Sequence, residues 1–334
     1  MHAFGQPMNS GIGFDRHVPG GGYAWWYIDA VSDDGEHALT LIAFVGSVFS
    51  PYYAWARRWA GTAGADPNQH CAINVGLYDL TDDRRQGNLW TMTERGGAAV
   101  SRTAARLQVG PSELQWEAAA QGTTLLATIN EWSAPWPQRV QGRIRLTPST
   151  DVSVADHSVA IDGAGLHVWR PIAPTAYVQV EFDAPRMRWS GPAYLDSNYG
   201  ATPLESSFRD WQWARGTFRD GSTAVRYDVT LKDGDALQVA RRYGPSSEMS
   251  ELAVAPARRL AGTRWGIARA CHSSGATTAS VAATLESGPF YARSLVNTQW
   301  GDEPVTAVHE SLSLTRFANP IVQAMLPFRM PRRS

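Results

Sequence analysis

The 334-residue chain is predicted to be an all-β protein built from two antiparallel β-barrel or sandwich domains with few short helices. Three observations predict this class. Apolar and polar residues alternate with a period of two, the apolar runs are short and end at Gly, Pro, Asn or Asp, and helical periodicity is scarce. The 14 tryptophans suit the core of such sheets, and they would equally suit the wall of a large apolar cavity.

The strands are predicted, in chain order, from β-rich segments of six to eight residues. These segments are residues 39–44, 72–78, 89–94, 123–130, 139–146, 176–182 and 224–231. The strongest helical segment is 50–61, with Ser50 as the N-cap and Pro51 at the first helical position.

A short internal echo predicts two similar halves. Residues 23–35 resemble residues 208–221, and both segments end in Asp-Gly, a strong hairpin-turn signal. Each copy is therefore predicted to be a strand, a turn and a second strand. The aligned aromatic pairs are Trp25 with Trp211 and Tyr27 with Trp213.

The position of the echo predicts the domain organisation. One β domain is expected over residues 1–187 and a second over residues 188–334, with the junction inside residues 182–194.

Composition and charge exclude several classes of function. A net charge of −1 argues against nucleic acid as the main partner. The two cysteines suit a reducing compartment. The N-terminal sequence lacks the features of a signal peptide, and the longest apolar run, residues 38–49, is too short to span a bilayer. A cytoplasmic protein is expected, either soluble or peripherally attached to a membrane.

Metal and nucleotide chemistry find little support. His70-Cys71 and Cys271-His272 are adjacent pairs on predicted strands, so each pair offers one metal ligand easily, and no metal is predicted. The triple glycine at 20–22 precedes a strand rather than a helix, so it is not a phosphate-binding loop.

The candidate site residues are polar side chains within or beside aromatic segments: Asp29, His70, Glu94, Asp196 and Glu205. Structural interpretations stand beside the catalytic one. They are an arginine partner for Asp29, an Asx turn at Asp196, a rim ion pair between Glu94 and Arg95, and a solvated turn at Glu205.

Six long strings resemble the carotenoid 1,2-hydratases, also called hydroxyneurosporene synthases. They are GGYAWWYIDAVSDDG, IAFVGSVFSPYYAWARR, HCAINVGLY, TMTERG, YLDSNYGATPLESSFRDWQWAR and LPFRMPRR. The resemblance runs from about residue 18 to the C-terminus. It implies two lipocalin-like β domains, as in the wider group that includes tocopherol cyclases. It also implies cofactor-independent addition of water to the terminal 1,2 double bond of an acyclic carotene such as neurosporene or lycopene.

This reaction needs particular residue types. A Brønsted acid must protonate C2, and a carboxylic acid can do so near neutral pH only if apolar surroundings raise its pKa. The tertiary cation at C1 is stabilised by aromatic faces, which do not react with it. One positioned water molecule then captures the cation.

Asp196 is the favoured proton donor because it lies in the most distinctive string, YLDSNYG. Tyr194 and Asn198 share its face if the segment is extended, and they are expected to orient the acid or the water. Asp29 is the second choice, as donor or as the partner of Asp196. The water-orienting candidates are His70, Glu94 and Glu205. The proposed cavity walls are Trp25, Tyr27, Trp211 and Trp213.

Two rival functions remain at this point. One is a cyclase or isomerase of the same superfamily that acts on a polyene, and the other is a non-catalytic lipocalin-like carrier of hydrophobic ligands. Residues 317–334 end in apolar residues and three arginines. This segment is expected either to contact an anionic membrane, such as the inner photosynthetic membrane, or to be a final strand with a solvated basic tail.

Overall fold

The computed structural model describes residues 12–81, 88–119, 122–152, 156–246, 248–253, 255–274 and 278–333. Most of these residues lie in strands. The strands are β1 (Tyr23–Val31), β2 (His37–Val45), β3 (Cys71–Asp79), β4 (Leu89–Arg95), β5 (Val100–Arg102), β6 (Arg106–Val109), β7 (Ser112–Ala119), β8 (Gly122–Trp132), β9 (Arg139–Pro148), β10 (Val159–Ala160), β11 (His167–Ala184), β12 (Arg186–Gly200), β13 (Phe208–Thr217), β14 (Thr223–Leu231), β15 (Ala236–Tyr243), β16 (Met249–Glu251), β17 (Ala257–Arg259), β18 (Ala270–His272), β19 (Ser280–Ser287), β20 (Tyr291–Trp300), β21 (Glu303–Ser313) and β22 (Arg332–Arg333).

Helices are short in the described ranges. The α-helices are α1 (Pro51–Trp59), α2 (Leu204–Ser207), α3 (Leu314–Phe317) and α4 (Pro320–Met325). The predicted helix is confirmed as α1, whose Ser50 side chain accepts hydrogen bonds from the first-turn backbone amides. No helix in the described part of the chain is long and apolar enough to cross a bilayer.

The chain divides into two compact units. Among the described residues, unit 1 comprises those within Met1–Val159, His167–Ala201 and Leu326–Ser334, and unit 2 comprises Ala160–Leu166 and Thr202–Met325. The domain boundary predicted at residue 187 stays a prediction. The whole of β12, which contains that position, lies in unit 1.

Unit 1 contains one large sheet with the strand order β22-β4-β3-β2-β1-β12-β11-β9-β8-β7-β6-β5. Its strands pair antiparallel, apart from the parallel pair of β22 with β4. Unit 2 contains the antiparallel sheet β16-β15-β14-β13-β21-β20-β19 and the small pair β17-β18. The predicted all-β class with lipocalin-like antiparallel sheets is therefore confirmed.

The two echoing segments form equivalent hairpins. In the first, β1 and β2 are joined through Gly35, whose φ is +73°, and its amide donates to the carbonyl of Ser32 at 2.9 Å. In the second, β13 and β14 are joined through Gly221, whose φ is +82°, and its amide donates to Phe218 at 3.0 Å. Glycine tolerates this left-handed backbone, so both predicted hairpins are confirmed.

Candidate active site

Strand β1 is buried on both faces, and the two faces differ in character. Ala24, Trp26 and Ile28 point into the main apolar core of unit 1. The alternate residues Tyr23, Trp25, Tyr27 and Asp29 share the opposite face. Asp29 is completely buried there. One face of β1 therefore supplies packing and the other brings a carboxyl group among aromatic rings.

The pairing of β1 with β12 brings three predicted residues of β1 beside Asp196 and its two predicted neighbours on β12. Residues directly opposite on antiparallel strands share a face of the sheet. The opposed pairs are Tyr27 with Asp196, Asp29 with Tyr194, and Trp25 with Asn198. The predicted extended conformation of the segment around Asp196 is confirmed, since β12 continues to Gly200. The alternative of an Asx turn at Asp196 is wrong for the same reason.

Asp196 is held by two donors on one oxygen. Its Oδ2 accepts a hydrogen bond from the Tyr194 hydroxyl at 2.7 Å and another from Trp169 Nε1 at 2.8 Å. Trp169 Nε1 also lies 3.1 Å from the Tyr194 hydroxyl oxygen. All three side chains are buried. The carboxyl group consequently has a fixed orientation in a largely water-free environment.

Two further residues of this face, Trp169 and His167, were not predicted from the sequence. Both lie on β11, opposite Asn198 and Gly200 of β12 respectively. His167 is fully buried, and its Nδ1 lies 2.9 Å from the Tyr23 hydroxyl oxygen. The spacing of two residues between His167 and Trp169 indicates that they share a face of a strand. It points to the site only when this strand is known to pair with β12.

Aromatic rings surround the carboxyl groups on this face. The rings of Tyr23 and Trp25 are stacked with centroids 4.9 Å apart. Tyr27 meets Tyr194 edge to face at 6.4 Å. Such an arrangement presents π-faces and ring edges, and it offers attraction to a cation without a nucleophile.

His70 and Glu94 form a different cluster with Arg332. Nδ1 of His70 lies 2.9 Å from Glu94 Oε1 and 2.9 Å from Nη1 of Arg332. Arg332 also pairs directly with Glu94 Oε1, and its Nη2 donates to the carbonyl of Gln69 at 3.0 Å. Glu94 is 1% exposed. The interpretation of Glu94 and Arg95 as a rim ion pair is wrong, because Arg95 makes a buried bidentate pair with Glu131 instead.

This second cluster shares a sheet face with Asp196 but lies several strands away. Glu94 is opposite Ala72 on β3, in the row that continues through Phe44 and Trp25 to Asn198. The path from β4 to β12 crosses four strand spacings, on the order of 20 Å along the sheet. The contacts of His70 and Glu94 therefore favour a structural role. Their water-orienting role stays a proposal.

The remaining predicted residues lie in unit 2. Trp211 and Trp213 are buried in β13 and contact the ring of Tyr227, with centroid distances of 5.1 Å and 6.5 Å. Glu205 is half-buried in the first turn of α2. The position that echoes Asp29 is Arg215, which is buried and donates to the Thr217 hydroxyl at 2.9 Å.

Unit 2 also contains two buried histidines that were not singled out as site residues. His272 Nε2 lies 2.8 Å from Asp228 Oδ2, and this hydrogen bond raises the pKa of His272. His309 Nε2 donates to the carbonyl of Ala270 at 2.8 Å, while burial lowers the pKa of His309 to about 4. Within the described ranges no three His, Cys, Asp or Glu side chains are grouped as a metal ion would need.

Replacing His309 with glutamine is expected to make the free energy of unfolding fall less steeply as the pH is lowered. A folded-state pKa of about 4, below the ordinary 6.5, gives stability that is present above pH 6.5 and lost as the pH falls towards 4. The loss amounts to about 3 kcal/mol. Urea unfolding of the wild type and of His309→Gln between pH 6.5 and pH 4 measures this loss.

His272→Gln is the matched control for that experiment. The raised pKa of His272 gives stability that is present below pH 6.5 and lost as the pH rises through the folded-state pKa. His272→Gln should therefore change the pH dependence of the free energy of unfolding only above pH 6.5. An equal decline of wild type and His309→Gln on acidification would contradict the prediction.

The chain is similar to known proteins both in sequence and in fold. Residues 41–334 match the family model described as carotenoid hydratase CrtC. The chain is 49% identical over 320 residues to an acyclic carotenoid 1,2-hydratase of Thiocapsa roseopersicina, covering 96% of this chain and 75% of the relative. It is 47% identical over 322 residues to the protein of the same name in Rubrivivax gelatinosus, covering 96% and 76%.

A solved structure shows the same fold. It is an AttH-type protein of Nitrosomonas europaea, with a TM-score of 0.57 at 15% identity, covering 87% of this chain and 92% of that one.

Proposed function

The chain belongs to the carotenoid hydratase family, and we propose that it adds water across the terminal 1,2 double bond of acyclic carotenes such as neurosporene or lycopene. The product is a tertiary 1-hydroxy carotenoid, so the enzyme is a hydro-lyase. The observation that carries the mechanism is the buried carboxyl group of Asp196, oriented by two donors among aromatic rings.

Asp196 supplies the proton to C2. Because Oδ2 accepts from both Tyr194 and Trp169, it acts as the carbonyl oxygen of the acid, and Oδ1 carries the hydrogen. The two donors fix the plane of the carboxyl group and therefore the direction in which Oδ1 presents its proton. Proton transfer forms the C2–H bond, and the former double-bond electrons leave a tertiary cation at C1.

The aromatic face stabilises that cation until water arrives. Tyr27 lies opposite Asp196, and Trp25 lies two residues before Tyr27, opposite Asn198. Their π-faces therefore border the reacting end of the carotene. Asn198 follows Asp196 by two residues on the same face, about 7 Å along β12. This spacing suits a water molecule held beside C1 while the acid faces C2.

Capture by water completes the cycle. The water oxygen bonds to C1, and the resulting oxonium group loses one proton to the Asp196 carboxylate, which restores the acid. Asp29, opposite Tyr194, is the alternative donor or the alternative acceptor of that proton. The net change is one water added to one double bond, and no cofactor takes part in these steps.

The substrate sets the location of the reaction. Acyclic carotenes dissolve in the hydrocarbon of a bilayer and not in water, so we place the enzyme peripherally on the inner, photosynthetic membrane, on its cytoplasmic side. No nucleic acid is expected as a partner, because the chain carries a net charge of −1.

Incubation of the purified protein with lycopene or neurosporene is expected to yield a product heavier by one water. In H₂¹⁸O the label should appear on C1, and in D₂O one deuterium should appear on C2, because the acid exchanges its proton with solvent. Mass spectrometry and NMR of the product locate both labels.

Other outcomes identify the rival functions. A polyene product of unchanged mass with a new ring would indicate a cyclase, and recovery of unchanged carotene from a stable complex would indicate a carrier. Deuterium at a carbon other than C2 would remove the simple protonation mechanism.

A further inference from the structure

Helix α1 carries an aromatic stripe whose exposure increases along the helix. Tyr52, Trp55 and Trp59 follow one another at spacings of three and four residues, so they lie on one side of the helix. The opposite side, with Tyr53 and Ala54, is buried. Tyr52 and Trp55 are half-buried, while the side chain of Trp59 is 87% exposed. A tryptophan this exposed gains nothing from the core of the protein.

The C-terminal segment 326–333 lies beside this stripe. The guanidinium carbon of Arg332 is 6.0 Å from the Tyr52 ring centroid, and Arg332 is anchored to Glu94 on β4. Three residues earlier, the Arg329 guanidinium stacks on the ring of Trp90 at 4.4 Å. The last strand therefore holds the segment against the same part of unit 1 as α1. In this respect the interpretation of the tail as a final strand agrees with the structure.

Together the two segments form a strongly basic surface on a chain that is nearly neutral. They contain five arginines and no aspartate or glutamate, whereas the whole chain has a net charge of −1. We define the basic-aromatic face by six aromatic and arginine side chains of these segments, all partly or fully exposed: Trp55, Arg58, Trp59, Phe328, Arg329 and Arg333. Phe328 is 69% exposed, so a second large apolar side chain lies in water beside the arginines.

We propose that the basic-aromatic face docks the protein on the surface of an anionic phospholipid bilayer. Tryptophan and phenylalanine favour the interface between headgroups and acyl chains, and clustered arginines are attracted to anionic headgroups. The inference rests on the proposed function in one respect, that a carotene substrate is collected from a bilayer.

Co-sedimentation with lipid vesicles that contain no carotene tests the docking independently of catalysis. Wild-type protein is expected to pellet with vesicles of phosphatidylcholine containing about 30 mol% phosphatidylglycerol, to bind pure phosphatidylcholine more weakly, and to be released by salt. Trp59→Ala should lower the partition coefficient by at least about fivefold, and Arg333→Ala should lower it by about fivefold.

Two matched variants control for the loss of any exposed tryptophan or arginine. Trp136 is 78% exposed on the loop between β8 and β9, and Arg186 is exposed at the start of β12. Trp136→Ala and Arg186→Ala should bind the anionic vesicles like wild type. If wild type stays in the supernatant, or if the control variants lose as much binding as Trp59→Ala, the docking proposal is wrong.

A comparison of substrate presentation separates this inference from the proposed function. With lycopene in detergent micelles, Trp59→Ala should hydrate lycopene as fast as wild type does. With lycopene in anionic vesicles, its hydration rate should fall by about the same factor as its partition coefficient. Vesicle binding without hydration in either form would refute the proposed function and leave the docking face supported.

Discussion

Asp196→Asn is expected to reduce the rate of lycopene hydration on the order of 10²–10⁴-fold, since an amide cannot supply the proton that general acid catalysis requires. The substitution preserves shape, and the asparagine oxygen can still accept from Tyr194 and Trp169. The protein should therefore stay folded and still take up carotene. The initial rate of 1-hydroxy product formation measures the effect, and near-ultraviolet circular dichroism verifies the fold.

Three further variants make this result specific. Asp29→Asn tests the alternative donor, and a larger loss there than in Asp196→Asn would transfer the acid role to Asp29. Tyr194→Phe removes one of the two orienting hydrogen bonds and should cost about tenfold in rate. Asp183→Asn, at the exposed end of β11, should have wild-type activity. Near-normal hydration by folded Asp196→Asn would overturn the assignment.

Arg332→Ala is expected to lower the free energy of unfolding by about 3 kcal/mol, because it leaves the charge of buried Glu94 without its arginine. The value is at the lower end for a broken buried pair, since the Arg332 side chain is itself 33% exposed. Loss of the guanidinium also removes the hydrogen bond to the Gln69 carbonyl. Denaturant unfolding measures the change.

The neighbouring residue supplies the matched control. Arg333 is exposed at the end of the same strand, so Arg333→Ala should change the free energy of unfolding by less than about 0.5 kcal/mol. Adding Glu94→Gln to Arg332→Ala removes the buried charge that has lost its arginine and should restore a large part of the stability. Equal stability of Arg332→Ala and Arg333→Ala would show that the pair contributes nothing.

Local features of this fold could be predicted from the sequence because they depend on neighbouring residues. The alternation of β1, the cap of α1 by Ser50 and the glycine turns at Gly35 and Gly221 each need only a few consecutive positions. The face of β1 that carries Asp29 and the aromatic rings likewise depends only on consecutive residues. A period of two fixes it without any knowledge of the partner strand.

The parts of the site that were missed depend on pairing between distant segments. Trp169 reaches Asp196 because β11 pairs with β12, and the sequence contains no measure of that register. Arg332 reaches Glu94 across 238 residues, so the nearer Arg95 was the obvious but wrong partner. Local chemistry identified the acids, whereas the order of strands in the sheet decided which donors they meet.

The return of the chain to unit 1 has a consequence for synthesis on the ribosome. Strands β1 to β9, β11 and β12 emerge before Thr202–Met325, the larger part of unit 2. Strand β22, which belongs to the sheet of unit 1, emerges only after that part. Until then the edge of β4 is open and Glu94 lacks the arginine that stabilises it. The unit that is made first is thus completed last. A nascent chain must keep an exposed sheet edge from aggregating while some 120 further residues are translated.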